Sequence, residues 1–405
     1  MMKILIADKF DQTGLEQLKA LGCDVQIDPS LGPDSLPGEV GEYQPDVLIV
    51  RSTKVPADVF EAAKALSLVI RAGAGYDNIN VAAASARGIS VANCPGKNSI
   101  AVAELAWGLI LACDRRIPDQ TIELRAGTWN KKEYSKARGL FGRTLGVIGT
   151  GQIAQEVITR ARSFGMPIVA WSRSLTPQRA AELGVGFCND KIECARSADI
   201  VSVHVAGTPE TKNLIDTPFC EALRPGAIFI NTSRGSVVDE AALLEAIRTK
   251  GVRAGLDVYQ NEPGSGSTSN EFASELAAEP GVFGTHHIGA STDQAQQAVT
   301  GEAVRIVRTY METGNIPNVV NVCAKTTATR LLVVRHLNQP GVLAHVIGAI
   351  GSAKINIEDM ENVIYEGEKA ACARMNLDSE PSPEILQQIQ TGCEHVLSAD
   401  LTVID

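Results

Sequence analysis

No run of lysine and arginine occurs anywhere in this chain, whose 405 residues carry a formal net charge of −10. A nucleic-acid partner calls for a cationic face, so that class of function is disfavoured. No uninterrupted apolar span is long enough for a membrane helix. The charged Lys3, Asp8 and Lys9 flank the first apolar stretch, where a signal peptide would keep an apolar core. The nine cysteines are scattered, odd in number and never spaced C-x-x-C. Neither a disulfide framework nor a metal site is indicated, and a cytoplasmic location is expected. What is present is length enough for two or three domains.

The strongest local signal is Gly149-Thr150-Gly151-Gln152-Ile153-Ala154, which follows the apolar Leu145 to Ile148. It reads as a strand, a turn and a helix start in the pattern G-x-G-x-x-A. Glycines at Gly149 and Gly151 let backbone approach a ligand, and a helix opening near Gln152 turns free N–H groups and its positive dipole end toward a diphosphate. Val157 to Phe164 then reads as a helix, Gly165-Met166-Pro167 as its stop, and Ile168 to Trp171 as a second strand. Roughly twenty residues beyond the turn, a dinucleotide fold places an acid for the ribose hydroxyls. This chain has Ser172-Arg173-Ser174 instead. Arg173 can hold a 2′-phosphate, or lie along the adenine while NAD binds. NAD and NADP both stay open.

Residues 3–98 alternate strands (Ile4 to Ala7, Val25 to Ile27, Val47 to Arg51, Leu68 to Arg71, Ile89 to Val91) with helices (Thr13 to Leu21, Pro56 to Leu66, Val81 to Arg87), as a parallel sheet requires. Pro29 to Pro37 reads as a turn-rich loop, and 100–126 as one long helix. Further strands are expected at Ile200 to Val205, Ala227 to Asn231, Gly255 to Val258 and Val282 to Thr285. Helices are expected at Thr217 to Leu223, Glu240 to Lys250 and Gln294 to Glu312. Residues 263–270 read as a flexible loop and 313–328 as a linker. The remainder has the order βαββαβ, a small ferredoxin-like module. The expected fold class is therefore α/β: two doubly wound parallel-sheet domains (Rossmann or flavodoxin-like) and a C-terminal α+β module. The expected bounds are 1–98 completed by 290–318, 99–289, and 329–405.

Three polar residues follow predicted strands of the middle domain, where open α/β sheets place ligands: Arg234, Glu262 and His287. Oxidising an alcohol beside a carboxylate needs a proton acceptor, a cation and a hydride acceptor. Arg offers a permanently charged fork for a carboxylate, His exchanges a proton near neutral pH, and a neighbouring Glu favours the imidazolium. A lone His or Glu at a strand end is more often structural; the case rests on all three arriving together.

The motifs Gly149 to Ala154, Asn231-Thr232-Ser233-Arg234-Gly235, Asp257-Val258-Tyr259-Gln260-Asn261-Glu262-Pro263 and His287-Ile288-Gly289-Ala290-Ser291-Thr292 resemble the signatures of the D-isomer-specific 2-hydroxyacid dehydrogenases. Arg51-Ser52-Thr53, Arg71-Ala72-Gly73 and the terminal module make the chain most similar to the members that oxidise 3-phosphoglycerate in serine synthesis. The resemblance implies His287 as general acid/base, Glu262 as its partner and Arg234 as ligand of the substrate carboxylate and carbonyl. It implies cofactor contacts at Gly149, Gly151, Gln152, Ile153, Ser172, Arg173, Val205, Thr232, Ser233, Asp257, Gly289 and Ala290. Substrate contacts would fall on Arg51, Ser52, Arg71, Gly73 and Asn98, with Lys131 and Lys132 as candidates from a neighbouring subunit, although an ordinary wet surface weighs slightly more for those two. The terminal module resembles an ACT domain, which implies L-serine as effector at His336, Asn338 and Asn356, and a homo-oligomer, dimer or tetramer. One departure is His286 in place of the usual Pro, a residue expected to face elsewhere. Two rival readings are an NADPH-dependent glyoxylate or hydroxypyruvate reductase and a dinucleotide-sensing corepressor-like scaffold.

Overall fold

The computed structural model describes residues 1–263, 272–323 and 326–404. They fall into two compact units, Met1–Asn321 and Val322–Asp405. Among the described residues no helix is long and apolar enough to cross a membrane.

The first unit is built on two sheets. The five-stranded sheet is parallel, in the order Asp24–Ile27, Lys3–Ile6, Val47–Val50, Leu68–Arg71, Ser90–Asn93. The seven-stranded sheet is also parallel and runs Val282–Gly284, Arg253–Leu256, Ile228–Asn231, Ile200–Val203, Leu145–Ile148, Ile168–Trp171, Gly186–Phe187. Val47–Val50, Leu145–Ile148, Ile200–Val203 and Ile228–Asn231 are buried along their whole length, as expected where helices cover both faces. In each sheet the strand order reverses beside its first strand, and the crevice outside that point is where such sheets hold ligands. Asp8 and Arg51 stand at one reversal, the Gly149 turn at the other.

Several expectations needed correction. Within Pro29 to Pro37 and beyond it, Leu36–Tyr43 is a helix. Pro37 sits in its first turn, where a missing N–H costs nothing, and Leu36 and Val40 share its buried face. The single helix expected over 100–126 is two, Ser99–Arg115 and Ile117–Arg125. Arg116 between them is left-handed (φ 52°), and Pro118 cannot continue the first helix. Arg116 is held there by Asp119 at 2.9 Å and Glu133 at 2.8 Å. Short elements at Lys131–Tyr134, Pro177–Glu182, Gly186–Phe187 and Lys191–Ser197 had no clear period in the sequence. Of the loop expected at 263–270, residues 264–270 lie outside the described residues, as do 324 and 325 of the expected linker.

That linker, moreover, is largely structured. After the helix Asp293–Thr313, residues 318–321 return along the edge strand Ser90–Asn93: Val320 N donates to Val91 O at 2.8 Å and Asn321 Oδ1 accepts from Val91 N at 2.8 Å. The helix itself packs Val299, Ala303, Val304, Ile306 and Val307 into the core of the five-stranded sheet. Glu302 on it is buried and gathers three partners: Arg305 at 2.6 Å, Asn318 at 2.8 Å and Lys97 at 3.2 Å. Hydrogen bonds from Arg305, and after them those from Asn318 and Lys97, hold its carboxyl down to about 2 against the effect of burial. One carboxylate thus ties the helix Asp293–Thr313 to Lys97, on a segment between the sheets, and to Asn318 beside the edge strand.

The second unit contains a four-stranded antiparallel sheet ordered Ile357–Ile364, Ala370–Leu377, Arg330–Leu337, Val396–Val403, covered by Val342–Ser352 and Pro383–Thr391. The βαββαβ order is as expected.

Glu302→Gln should lower unfolding free energy by about 1–3 kcal/mol at neutral pH. Its folded pKa lies below the ordinary glutamate value of roughly 4.3, so its contribution is complete above that pH and is lost as pH falls toward 2. Urea unfolding should show the gap between wild type and variant shrinking at about pH 3; an unchanged gap contradicts this.

Candidate active site

Residues from both sheets line one cleft of about 1020 Å³, among them Arg51, Arg71, Asn98, Arg234, Glu262 and His287. His287 follows the Val282–Gly284 strand in a left-handed conformation (φ 53°) that a non-glycine residue adopts only when its surroundings impose it. Those surroundings converge on Asp257. His287 N donates to Asp257 O at 2.8 Å, and the Asp257 carboxylate accepts from Thr285 Oγ1 at 2.6 Å, Ile288 N at 2.9 Å and Gly289 N at 2.9 Å. Asp257, expected as a cofactor contact, is buried and mainly committed to this loop. The imidazole Nδ1 lies 2.6 Å from Glu262 Oε2. With Nδ1–H donating to Glu262, Nε2 is left to accept a proton.

Arg234 stands just past Ile228–Asn231. Its guanidinium is bonded to Asp77 of the first sheet's loops, Nε to Oδ2 at 3.1 Å and Nη2 to Oδ1 at 3.0 Å. Arg71 is half-buried, its Nε enclosed without a protein partner; desolvation, then the charges of Arg234 and Arg51, lower its pKa to about 10. Arg51 reaches Gln296 Oε1 at 3.2 Å. The loop Arg51-Ser52-Thr53 is shaped by Asp8, whose Oδ2 accepts from their backbone N–H groups at 2.6, 3.1 and 3.1 Å. Ser52, Gly73 and Asn98 also line the cleft, and Asn98 Oδ1 is buried without a protein partner.

The glycine turn fits a dinucleotide. Gly149 has φ 92°, and a Cβ there would lie 2.2 Å from His204 O. Gly151 caps the helix Gln152–Ser163 without any side-chain bond, so the first N–H groups of that helix are uncapped by side chains. Val205 lies against the turn, and the Gln152 side chain reaches Gly96. Ile153 is half-buried in the first turn of the helix. Thr232 Oγ1 is buried and unpartnered, while Ser233 Oγ is bonded to Asn231 Oδ1 at 2.6 Å. Gly289 gives its N–H to Asp257, and Ala290 lines the cleft. At the far strand, Ser172 Oγ lies 3.0 Å from Thr150 Oγ1. Arg173, two residues past the Ile168–Trp171 strand, is exposed.

One expectation is corrected here, and the wet surface weighed higher for the two lysines stands. His286 does not face elsewhere; it lines the same cleft as His287. Lys131 and Lys132 belong to a short exposed helix and do not line the cleft of their own chain. The sequence reading missed Asp8, Asp77 and Gln296. For Asp77 a signal existed: an acid in a glycine-rich turn a few residues after Arg71. In the second unit, His336 is buried, with Nδ1 at 2.8 Å from Leu337 O and Nε2 at 3.1 Å from Asn362 Oδ1. Asn338 bonds Glu368 O beside one end of the sheet, whereas Asn356 lies next to Asp378 at the other. One chain does not bring these two amides together.

The family model described as "D-isomer specific 2-hydroxyacid dehydrogenase, NAD binding domain" matches residues 107–289. The chain is 38% identical over 323 residues to a D-3-phosphoglycerate dehydrogenase of Methanocaldococcus jannaschii, covering 79% of this chain and 60% of that one. It is 43% identical over 261 residues to a hydroxypyruvate reductase of Thermotoga maritima, covering 64% of this chain and 82% of that one. The chain spans about three fifths of the length of the phosphoglycerate dehydrogenases it matches (60, 58 and 63%). A crystal structure of NAD+-bound 3-phosphoglycerate dehydrogenase of Entamoeba histolytica superposes with a TM-score of 0.65 at 25% identity, over 79% of this chain and 99% of that one.

Asp257→Asn should destabilise the His287 loop by about 1–3 kcal/mol, because an amide cannot accept all three bonds. Hydrogen exchange at Ile288 and Gly289 should speed up; unchanged protection there contradicts the anchoring role.

Proposed function

This chain belongs to the D-isomer specific 2-hydroxyacid dehydrogenase family, and we propose that it oxidises D-3-phosphoglycerate at C2 to 3-phosphohydroxypyruvate, the first step of L-serine synthesis. The observation that carries the reading is that Arg51 and Arg71 line the cleft that also holds Arg234, Glu262 and His287. Three guanidinium groups sharing one cleft repel one another, and a substrate with a carboxylate at one end and a phosphate at the other relieves that repulsion. A bare 2-hydroxy acid leaves Arg51 and Arg71 without an anion.

His287 Nε2 takes the C2 hydroxyl proton while Glu262 stabilises the imidazolium formed at Nδ1. Arg234 holds the carboxylate and polarises the C2 oxygen as its carbonyl forms. A bound nicotinamide supplies the hydride acceptor. The Gly149 turn and the first N–H groups of Gln152–Ser163 would hold the diphosphate of that cofactor. NAD is the favoured form, because the family model that matches residues 107–289 describes an NAD binding domain and the similar Entamoeba histolytica structure is NAD+-bound.

The second unit supports an ACT-type regulatory role. Its edge strand Ile357–Ile364 is exposed along nearly its whole length, with Met360, Val363 and Ile364 uncovered. Two copies paired antiparallel along that edge would bring Asn356 of one toward Asn338 of the other, which suits a zwitterion such as L-serine. Ile117, Ile122, Leu124, Trp129 and Phe141 are likewise exposed on the first unit and favour a homo-oligomer. A cytoplasmic enzyme is the corresponding location.

Steady-state assays should show 3-phosphoglycerate oxidised with NAD at higher kcat/KM than with NADP. Preference for NADPH with glyoxylate or hydroxypyruvate would favour the reductase reading, and no turnover with either cofactor the scaffold. Arg71→Ala should lower the preference for 3-phosphoglycerate over glycerate by about 10–100-fold, from loss of a charge-assisted contact of roughly 1.5–3 kcal/mol. An unchanged preference removes Arg71 from the phosphate site. L-serine should inhibit; no inhibition at millimolar serine with the oligomer intact argues against regulation.

A further inference from the structure

A guanidinium has five N–H donors, and Arg234 has committed three of them within the protein. Nε and Nη2 go to the two oxygens of Asp77, and Nη1 to Ser233 O at 2.8 Å. What remains is one N–H on each terminal nitrogen, the end-on edge of the fork, on a side chain that lines the cleft. That edge alone can take two substrate oxygens side by side, one of the carboxylate and the C2 oxygen, without breaking a bond already made.

The two partners belong to different sheets. Asp77 lies in the loop after Leu68–Arg71 of the five-stranded sheet, and Arg234 after Ile228–Asn231 of the seven-stranded sheet. The pair therefore crosses the cleft. Close packing limits the guanidinium from two more sides. A Cβ on Gly75 would lie 2.1 Å from Arg234 Nη2, and a Cβ on Gly207 would lie 2.7 Å from Arg234 Cγ. Only glycine lets those backbones come so near. Asp77 is also the acid facing the arginine cluster. Burial raises its pKa, but hydrogen bonds and charge from Arg234, with a smaller effect of Arg71, outweigh this and leave it ionised well below neutral pH.

We propose that Asp77 is a positioning residue for Arg234: it takes the side-on edge of the guanidinium from across the cleft, so that the end-on edge is already aimed at the carboxylate of a 2-hydroxy acid. The inference rests on the reading of Arg234 as the substrate's carboxylate ligand and adds what aims it. Without the Asp77 carboxylate only Ser233 O and the packing at Gly75 and Gly207 restrain the guanidinium, and its free edge is no longer fixed in direction. It then binds an anion in several poses, of which few polarise the C2 oxygen. The loss falls mainly on kcat, because the correct pose matters most as charge develops. Among the described residues the Asp77 carboxylate bonds Arg234 and neither His287 nor the Gly149 turn, so proton transfer and cofactor affinity are left alone.

The test is Asp77→Asn in the full chain, with Asp77→Glu as the conservative comparison and Asp77→Ser should the amide disturb the loop. Asp77→Asn should lower kcat with 3-phosphoglycerate by about 10–100-fold. The NADH dissociation constant (fluorescence titration), the thermal midpoint and the pH position of the kcat/KM limb should stay as in wild type. Asp77→Glu should recover part of the loss. Arg234→Lys has no second edge for Asp77 to hold, so it should cost far less in the Asp77→Asn background than in wild type, a strongly non-additive cycle. Unchanged kcat in both Asn and Ser variants, or an additive cycle, overturns the proposal while wild-type turnover leaves the proposed function standing. A wild type that oxidises no 2-hydroxy acid overturns both.

Discussion

The carboxylate of Asp257 accepts three hydrogen bonds from the loop that carries His287, and its backbone carbonyl accepts a fourth. Without that anchor a histidine at φ 53° would relax to an ordinary conformation, and its ring would leave Glu262. The device recurs across the molecule. Asp8 gathers the three N–H groups of Arg51-Ser52-Thr53, Glu302 ties its helix to Lys97 and Asn318, and Asp77 fixes Arg234. In each case an acid fixes a loop or a side chain, and of the four only Asp257 was also expected to touch the cofactor. Charge-assisted bonds are shorter and about twice as strong as neutral ones, which makes carboxylates effective at fixing loops that have little apolar surface to bury.

This arrangement also explains how a chain of net charge −10 presents a cationic cleft. The acids are spent on backbone N–H groups and on holding arginines in place. The arginines keep free edges toward the ligand. Arg71 shows the cost: half-buried and facing the charges of Arg234 and Arg51, it has its pKa lowered to about 10, yet it stays charged at neutral pH. A strongly anionic substrate is the natural complement to such a site, and the parallel sheets place it where their strand ends meet.

Much of this was legible beforehand, for physical reasons. Fully buried parallel strands such as Val47–Val50 and Leu145–Ile148 announce themselves as short β-branched runs, and the Gly149 turn by its glycines. Arg234, Glu262 and His287 were legible because strand ends in this kind of fold are where ligands bind. The helix Leu36–Tyr43 was hidden by Pro37 and two glycines, and the break at Arg116 by an apolar period that continues across it. Asp8 and Asp257 as anchors could not be read, because their partners are backbone N–H groups or side chains distant in sequence; Asp77 was signalled only by its place in the glycine-rich turn after Arg71. His286 looked irrelevant until the cleft was seen to include it. The separation of Asn338 and Asn356 is likewise a property of strand register, invisible in the residues themselves.

The central claim is that the cleft brings a 2-hydroxy acid's C2 between His287, Arg234 and a nicotinamide held on the Gly149 turn. The most direct measurement follows the hydrogen: 3-phosphoglycerate carrying deuterium at C2 is oxidised and the label located by NMR. The account predicts deuterium on C4 of the reduced nicotinamide, transferred to a single face. Deuterium released to water instead would contradict it.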